Sequence, residues 1–258
     1  MVRQVVVLVG ALLATVAGYW GSGAGGARSQ QEVGDGALSA DATPVAPGEP
    51  AFGIWSVIYL GLVAYALWQA LPAQRADARQ RRTGWLVLAS MVLNAAWIGV
   101  VQADLIAVSV LVIVALLAVL LLAVARLGER APHGAVEAVV VDGTLGLYLG
   151  WVSVATVANA FAVAVTAGFD ATSAAADVWA VLGLAAAGAA GVAYAVWTRG
   201  RLAVGAAIGW GLVWVVVART VGDLRSTPAA VAAGVAAAVV IAATVVARLR
   251  GRDRPLVG

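Results

Sequence analysis

The run VEAVVVDGTLGLYLGWVSVATVANAFAVAVT, residues 136–166, decides how this chain folds. Its only full charges, Glu137 and Asp142, stand near the start, and the rest is Ala, Val, Leu and Gly around a few polar tips. About 20 mostly apolar residues suffice to cross hydrocarbon as a helix, so the run predicts a bilayer crossing. It is too long for one straight passage and begins before the bilayer, which puts Glu137 at the interface. Tyr148, Trp151 and Asn159 lie well inside it. Lipid offers no hydrogen bonds, so an amide at that depth needs a partner on another helix or on a ligand.

Working outward, seven further stretches have the same character: 3–20, 52–71, 84–102, 105–126, 175–198, 202–221 and 228–248. Across all 258 residues 63% are apolar and 11% charged, against about 25% charged in a soluble globular chain. The fold class that follows is an all-α integral membrane protein, an eight-helix transmembrane bundle.

Short cytoplasmic loops collect basic residues, and the 16 basic residues here are all Arg. Arg75, Arg79, Arg81 and Arg82 follow the second stretch, Arg126 and Arg130 the fourth, Arg199 and Arg201 the sixth, and Arg248, Arg250, Arg252 and Arg254 the eighth. The odd junctions are acidic, with Glu32, Asp35, Asp41 and Glu49 against Arg28, then Asp104, then Asp170 and Asp177; the seventh is mixed. This alternation predicts that both termini are cytoplasmic. The net charge of +3 is explained by orientation and anionic lipid and calls for no nucleic acid. The Arg-only, Ala-, Val- and Gly-rich composition points to a bacterial cell membrane. A secretory signal is the competing reading of the first stretch; its cleavage would leave seven helices. Positions 21–50, rich in Gly, Ser, Ala and Pro, read as a solvated outer connector rather than a lid.

Without Cys, disulfides, thiolate catalysis and Cys-held metals are excluded. The single His, His133, lies in a loop and cannot build a multi-His metal site. No phosphate- or dinucleotide-binding fingerprint is present, and Gly205, Gly209 and Gly211 suit close helix contact. No metal, cofactor or catalytic residue is expected, and the chain reads as no enzyme. Asp142 and Glu137 are the remaining candidates for proton coupling. An interfacial role for Asp142, paired with Arg126 or Arg130, is the preferred reading. Five residues apart on an α-helix, the two carboxylates point about 140° apart.

Aromatic and amide groups form richer constellations. Phe52, Trp55 and Tyr59 share a helix face, Asn94 neighbours Trp97, and Tyr148, Trp151 and Asn159 fall on one side of the fifth stretch. Facing one interior, they would line a cavity for a flat, mostly apolar ligand. The plainer alternatives are an interfacial belt, which Trp20, Trp68, Trp85, Trp179 and Trp197 fit, or simple helix packing. Trp210 and Trp214, one turn apart on the seventh stretch, read as a lipid-facing or interfacial pair.

The segments Phe52-Gly53-Ile54-Trp55-Ser56-Val57-Ile58-Tyr59, Leu93-Asn94-Ala95-Ala96-Trp97 and Leu147 to Asn159, in that order, resemble the second, third and fifth helices of the tryptophan-rich sensory protein family (TspO, or translocator protein). The resemblance implies a five-helix TspO-like core over residues 1–166, with 167–258 adding three helices and a basic tail as an extended form. It implies a pocket formed by Trp55, Tyr59, Asn94, Trp97, Tyr148, Trp151 and Asn159 that binds tetrapyrrole- or sterol-like ligands, often in a homodimer. A sensor or passive carrier is the function expected; the alternative is a proton-coupled transporter using Asp142 or Glu137.

Overall fold

A computed structural model describes residues 1–29 and 31–252. Among the described residues, eight helices are long and apolar enough to cross a membrane: α1 (Val2–Gly21), α2 (Glu49–Ala70), α3 (Ala78–Gln102), α4 (Ile106–Gly128), α5 (Ala135–Thr166), α6 (Ala174–Trp197), α7 (Leu202–Val221) and α8 (Thr227–Arg252). Among the described residues there is no strand. The spans stand where the hydropathy puts them, with one informative exception. α3 begins at Ala78, so the Arg-rich segment that hydropathy assigns to a loop forms its first turns. Asp77 caps it, its carboxylate accepting from the Gln80 N–H at 2.8 Å, which satisfies an otherwise orphaned donor. Arg79 thereby lies inside the helix and is 1% exposed.

The helices form two rings that share α5. In the first, α1 packs on α2 and α3, α3 on α4, α4 on α5, and α2 closes against α5. In the second, α7 packs on α5, α8 on α7, and α6 on α8, with lesser contact from α6 back to α5. Small residues let the backbones approach, as hydrocarbon requires of helices that gain nothing from hydrophobic burial. A Cβ at Gly209 would lie 3.1 Å from Ile241, and one at Gly211 3.0 Å from Val154. Gly200 turns the chain from α6 to α7 at φ 72°, where a Cβ would meet the Arg248 backbone, so that position needs glycine on both counts.

Two further expectations fail, one in a loop and one inside a helix. The connector between α1 and α2 is docked rather than solvated: Val33 is fully buried and Thr43 and Val45 are 2% exposed. Polar anchors hold it because its buried backbone must find partners. Asp104 accepts from Arg28 at 2.9 Å and from the Gly34 N–H at 2.8 Å. Farther along, Gly48 donates to the Trp214 carbonyl at 3.1 Å, Trp210 Nε1 donates to the Ala51 carbonyl at 2.9 Å, and Arg219 Nη2 donates to the Ala40 carbonyl at 2.5 Å. Trp210 and Trp214 are thus clasps on the loop, not merely lipid anchors.

The Arg28 hydrogen bond, then the Gly34 amide, hold the Asp104 carboxyl below its usual range. Because the native value is the lower one, this docking is complete above the ordinary carboxylate pKa of about 4 and is lost as pH falls through the depressed value. Exchange at the Gly34 amide, corrected for its intrinsic pH dependence, should therefore accelerate on acidification. Asp104→Asn keeps a residue that tolerates the φ of 58° found there and should abolish that acid response. An unchanged response in the variant assigns the loosening to another group.

The second correction concerns α5. Residues Ala138–Gly143 form a π-turn, in which residues five apart lie over one another rather than 140° apart. Glu137 and Asp142 therefore converge. Arg79 Nη1 bonds Glu137 Oε1 at 2.8 Å, and Arg79 Nη2 bonds Asp142 Oδ1 and Oδ2 at 2.6 and 2.8 Å. Arg201, at the start of α7, also pairs with Asp142. Asp142 is ion-paired, and its partners are Arg79 and Arg201 rather than the expected Arg126 or Arg130. Glu137 is 3% exposed and also accepts from Gln80 and from the His133 N–H.

Candidate functional site

Three amide and aromatic networks meet where α2, α3 and α5 face one another beneath the docked loop. On α2, Trp55 stacks on Tyr59 with centroids 5.6 Å apart and planes inclined by 27°. Trp55 also meets Tyr148 at 5.8 Å and Trp151 at 6.3 Å, both edge to face, and Phe52 meets Trp151 edge to face at 5.6 Å. These are the geometries that ring quadrupoles favour. On α3, Asn94 Nδ2 donates to Tyr59 Oη at 2.7 Å, and Trp97 Nε1 donates to Asn159 Oδ1 at 2.8 Å. Asn159 Nδ2 in turn donates to Ser109 Oγ at 2.8 Å, and Ser109 donates to the Ile106 carbonyl at 2.7 Å. Tyr148 Oη donates to the Ser90 carbonyl at 3.2 Å. Tyr59, Asn94, Trp97, Tyr148 and Asn159 thus each have a partner on another helix, as hydrocarbon demands.

Two hollows share this wall. An open cleft of about 540 Å³ lies between α1, α2 and α3; beside it a narrow hollow of about 40 Å³ runs under the loop between α2, α3, α4 and α5. The cleft is of ligand size, whereas the hollow has room for about three waters. Of the seven residues expected at a pocket, Trp55, Asn94 and Trp97 line both spaces, Tyr59 the cleft, and Trp151 and Asn159 the hollow. Tyr148 lines neither; it is fully buried behind Trp55. The Trp151 indole N–H and the Thr43 hydroxyl, both in the wall of the narrow hollow, have no hydrogen-bond partner. A buried donor left unmet is costly, so these two mark where a polar atom of an occupant would gain most.

Sequence reading missed Ser109 and the loop residues. Ser109 carries the same signal as Asn159, a polar side chain in an unbroken apolar helix. Thr43, Ala46 and Pro47 of the hollow carry no local signal, since only loop docking brings them there. Asn159→Leu should strand the Trp97 N–H and the Ser109 pair, lowering stability by about 1 to 2 kcal/mol, the scale of interhelical hydrogen bonds in membranes. Unfolding in mixed detergent should show this loss; a variant as stable as the parent would mean that the network carries no net energy.

A helical membrane bundle with an aromatic, amide-braced cleft at one end is the class these features define. Compared with known families, residues 4–246 match the TSPO-like protein family, and the chain belongs to it. The match enters all eight spans, beyond the three motif segments from which the resemblance was read. No curated protein and no solved structure matches the chain.

Proposed function

We propose that this protein binds a flat, largely apolar ligand of tetrapyrrole or sterol size in the cleft between α1, α2 and α3 and acts as a sensor or carrier without bond chemistry of its own. One observation carries the reading: a ligand-sized cleft is walled by the Trp55–Tyr59 stack, Asn94 and Trp97, and each of these residues is braced by its neighbours. Rigid aromatic faces supply contact area at little entropic cost, and the amide supplies orientation. Membership of a TSPO-like family supports the same reading. The Arg-only, Ala-, Val- and Gly-rich composition supports a bacterial cell membrane, and the distribution of Arg among the junctions supports cytoplasmic termini, which would open the cleft toward the outside. The ion pairing of Glu137 and Asp142 to Arg79 weighs against the proton-coupled alternative.

The experiment is a titration of purified protein in non-ionic detergent with a tetrapyrrole, a sterol and N-phenylnaphthylamine, a neutral aromatic probe, read by tryptophan quenching or probe emission. At least one should saturate, and Trp55→Leu should weaken it by about tenfold, the value of an aromatic contact of this kind. Saturation that Trp55→Leu leaves untouched would move the site elsewhere, and no saturation by any of the three would end the proposal.

A further inference from the structure

Resting on that reading, the geometry points to the charge of the ligand: we infer that the cleft takes a lipophilic cation, an amphiphile whose positive charge lies on or beside an aromatic or alkyl body. Among the described residues, the lining of the cleft contains one formally charged side chain, Glu49 at its mouth. Glu49 is exposed and forms no ion pair with a described Arg or His. The same cleft is lined by Tyr19, Trp55, Tyr59 and Trp97; aromatic ring faces attract cations through their quadrupoles and repel anions. No arginine among the described residues lines the cleft. The nearest one in sequence, Arg28, is engaged by Asp104 and by the Gln102 carbonyl.

The surroundings carry the same sign. Glu32 binds the backbone and hydroxyl of Ser29, itself a lining residue, and Asp35 lies on the same loop, whereas Asp41 is paired with Arg219 on α7. Such a field concentrates cations at a low-dielectric mouth and disfavours anions. A ligand with ionised carboxylates, including a tetrapyrrole with free propionates, would bring negative charge to Glu49 with no basic residue in the lining to receive it. A cation satisfies both the carboxylate and the rings.

The test uses the full chain in non-ionic detergent with two ions of nearly equal size and opposite charge, tetraphenylphosphonium and tetraphenylborate, beside neutral N-phenylnaphthylamine. Tetraphenylphosphonium should bind at least about tenfold more tightly than tetraphenylborate, and Glu49→Gln should remove about tenfold of that affinity while leaving the neutral probe unchanged. Glu49→Lys, at an exposed position where folding is not at stake, should reverse the order of the two ions. Equal affinities, tighter tetraphenylborate, binding of neither ion, or a Gln variant that holds the cation as before would each overturn the inference. Retention of the neutral probe in those cases, with its loss in Trp55→Leu, leaves the ligand-binding reading standing; if the parent binds none of these three probes, the inference ends, and the ligand-binding reading ends with it only when the tetrapyrrole and the sterol also fail to saturate.

Discussion

Arg79→Met is expected to be among the most damaging single changes in this protein, lowering stability by about 3 to 5 kcal/mol, the cost of removing one partner from a buried ion pair. Arg79 is 1% exposed and Glu137 3%, so neither solvent nor salt can replace the lost partner. The guanidinium bridges two carboxylates that the π-turn has brought together, and without it Glu137 and Asp142 face each other across the cavity it vacates. Arg79→Lys should recover little, because an ammonium lacks the planar fork that reaches both carboxylates at once. Combining Arg79→Met with Glu137→Gln should recover part of the loss by removing the stranded charge. The thermal midpoint of detergent-solubilised protein, followed by size-exclusion recovery, reads all three. An Arg79→Met variant within about 1 kcal/mol of the parent would be on the scale of an exposed pair and would show that the cluster is not desolvated.

Gly150→Leu should be nearly as severe for a steric reason. α5 and α7 meet backbone to backbone there: a Cβ at Gly150 would lie 2.5 Å from the Val204 carbonyl oxygen and 2.8 Å from Ala207 Cβ, and one at Gly146 2.8 Å from Ala203 Cβ. Backbone cannot rotate away as a side chain can, so the helices must separate, at a cost of about 3 kcal/mol for overpacking of this kind. Because the α1–α2 loop hangs on Trp210, Trp214 and Arg219 of α7, the same change should also raise hydrogen exchange at residues 40–51. Gly99→Leu is the control, since nothing lies within 4 Å of a Cβ there. Equal stability of the two variants would mean that the α5–α7 seam is not tightly packed in solution, and unchanged exchange at 40–51 would separate the loop from α7.

The eight spans were legible in the sequence because hydrocarbon imposes a one-dimensional requirement. Each crossing must be long, apolar and internally hydrogen-bonded, whatever its neighbours do. The deep polar groups were legible for the same reason: Asn94 and Asn159 stood out as amides in need of partners. What the sequence could not assign was which partner each would take. Asn159 serves Trp97 and Ser109, Asn94 serves Tyr59, and those pairings depend on the rotation of each helix about its axis, set by packing over the whole bundle.

Three features belonged to the tertiary structure alone. The convergence of Glu137 and Asp142 needs one extra residue in a turn, and a regular 3.6-residue period placed them apart until Arg79 supplied a site where both could be satisfied. The docked loop has the composition of a free connector, and its burial comes from acceptors and donors on α7 more than 150 positions away, as in the Trp210 bond to Ala51. The two rings follow from glycines whose importance lies in what opposes them: Gly150 and Gly99 are alike in sequence, yet one faces a neighbouring backbone and the other open space. Membership of the bilayer, span by span, was decided by transfer free energy and could be read along the chain. The shape of the cleft was decided by long-range contacts between helices, and no local property of the chain encodes those.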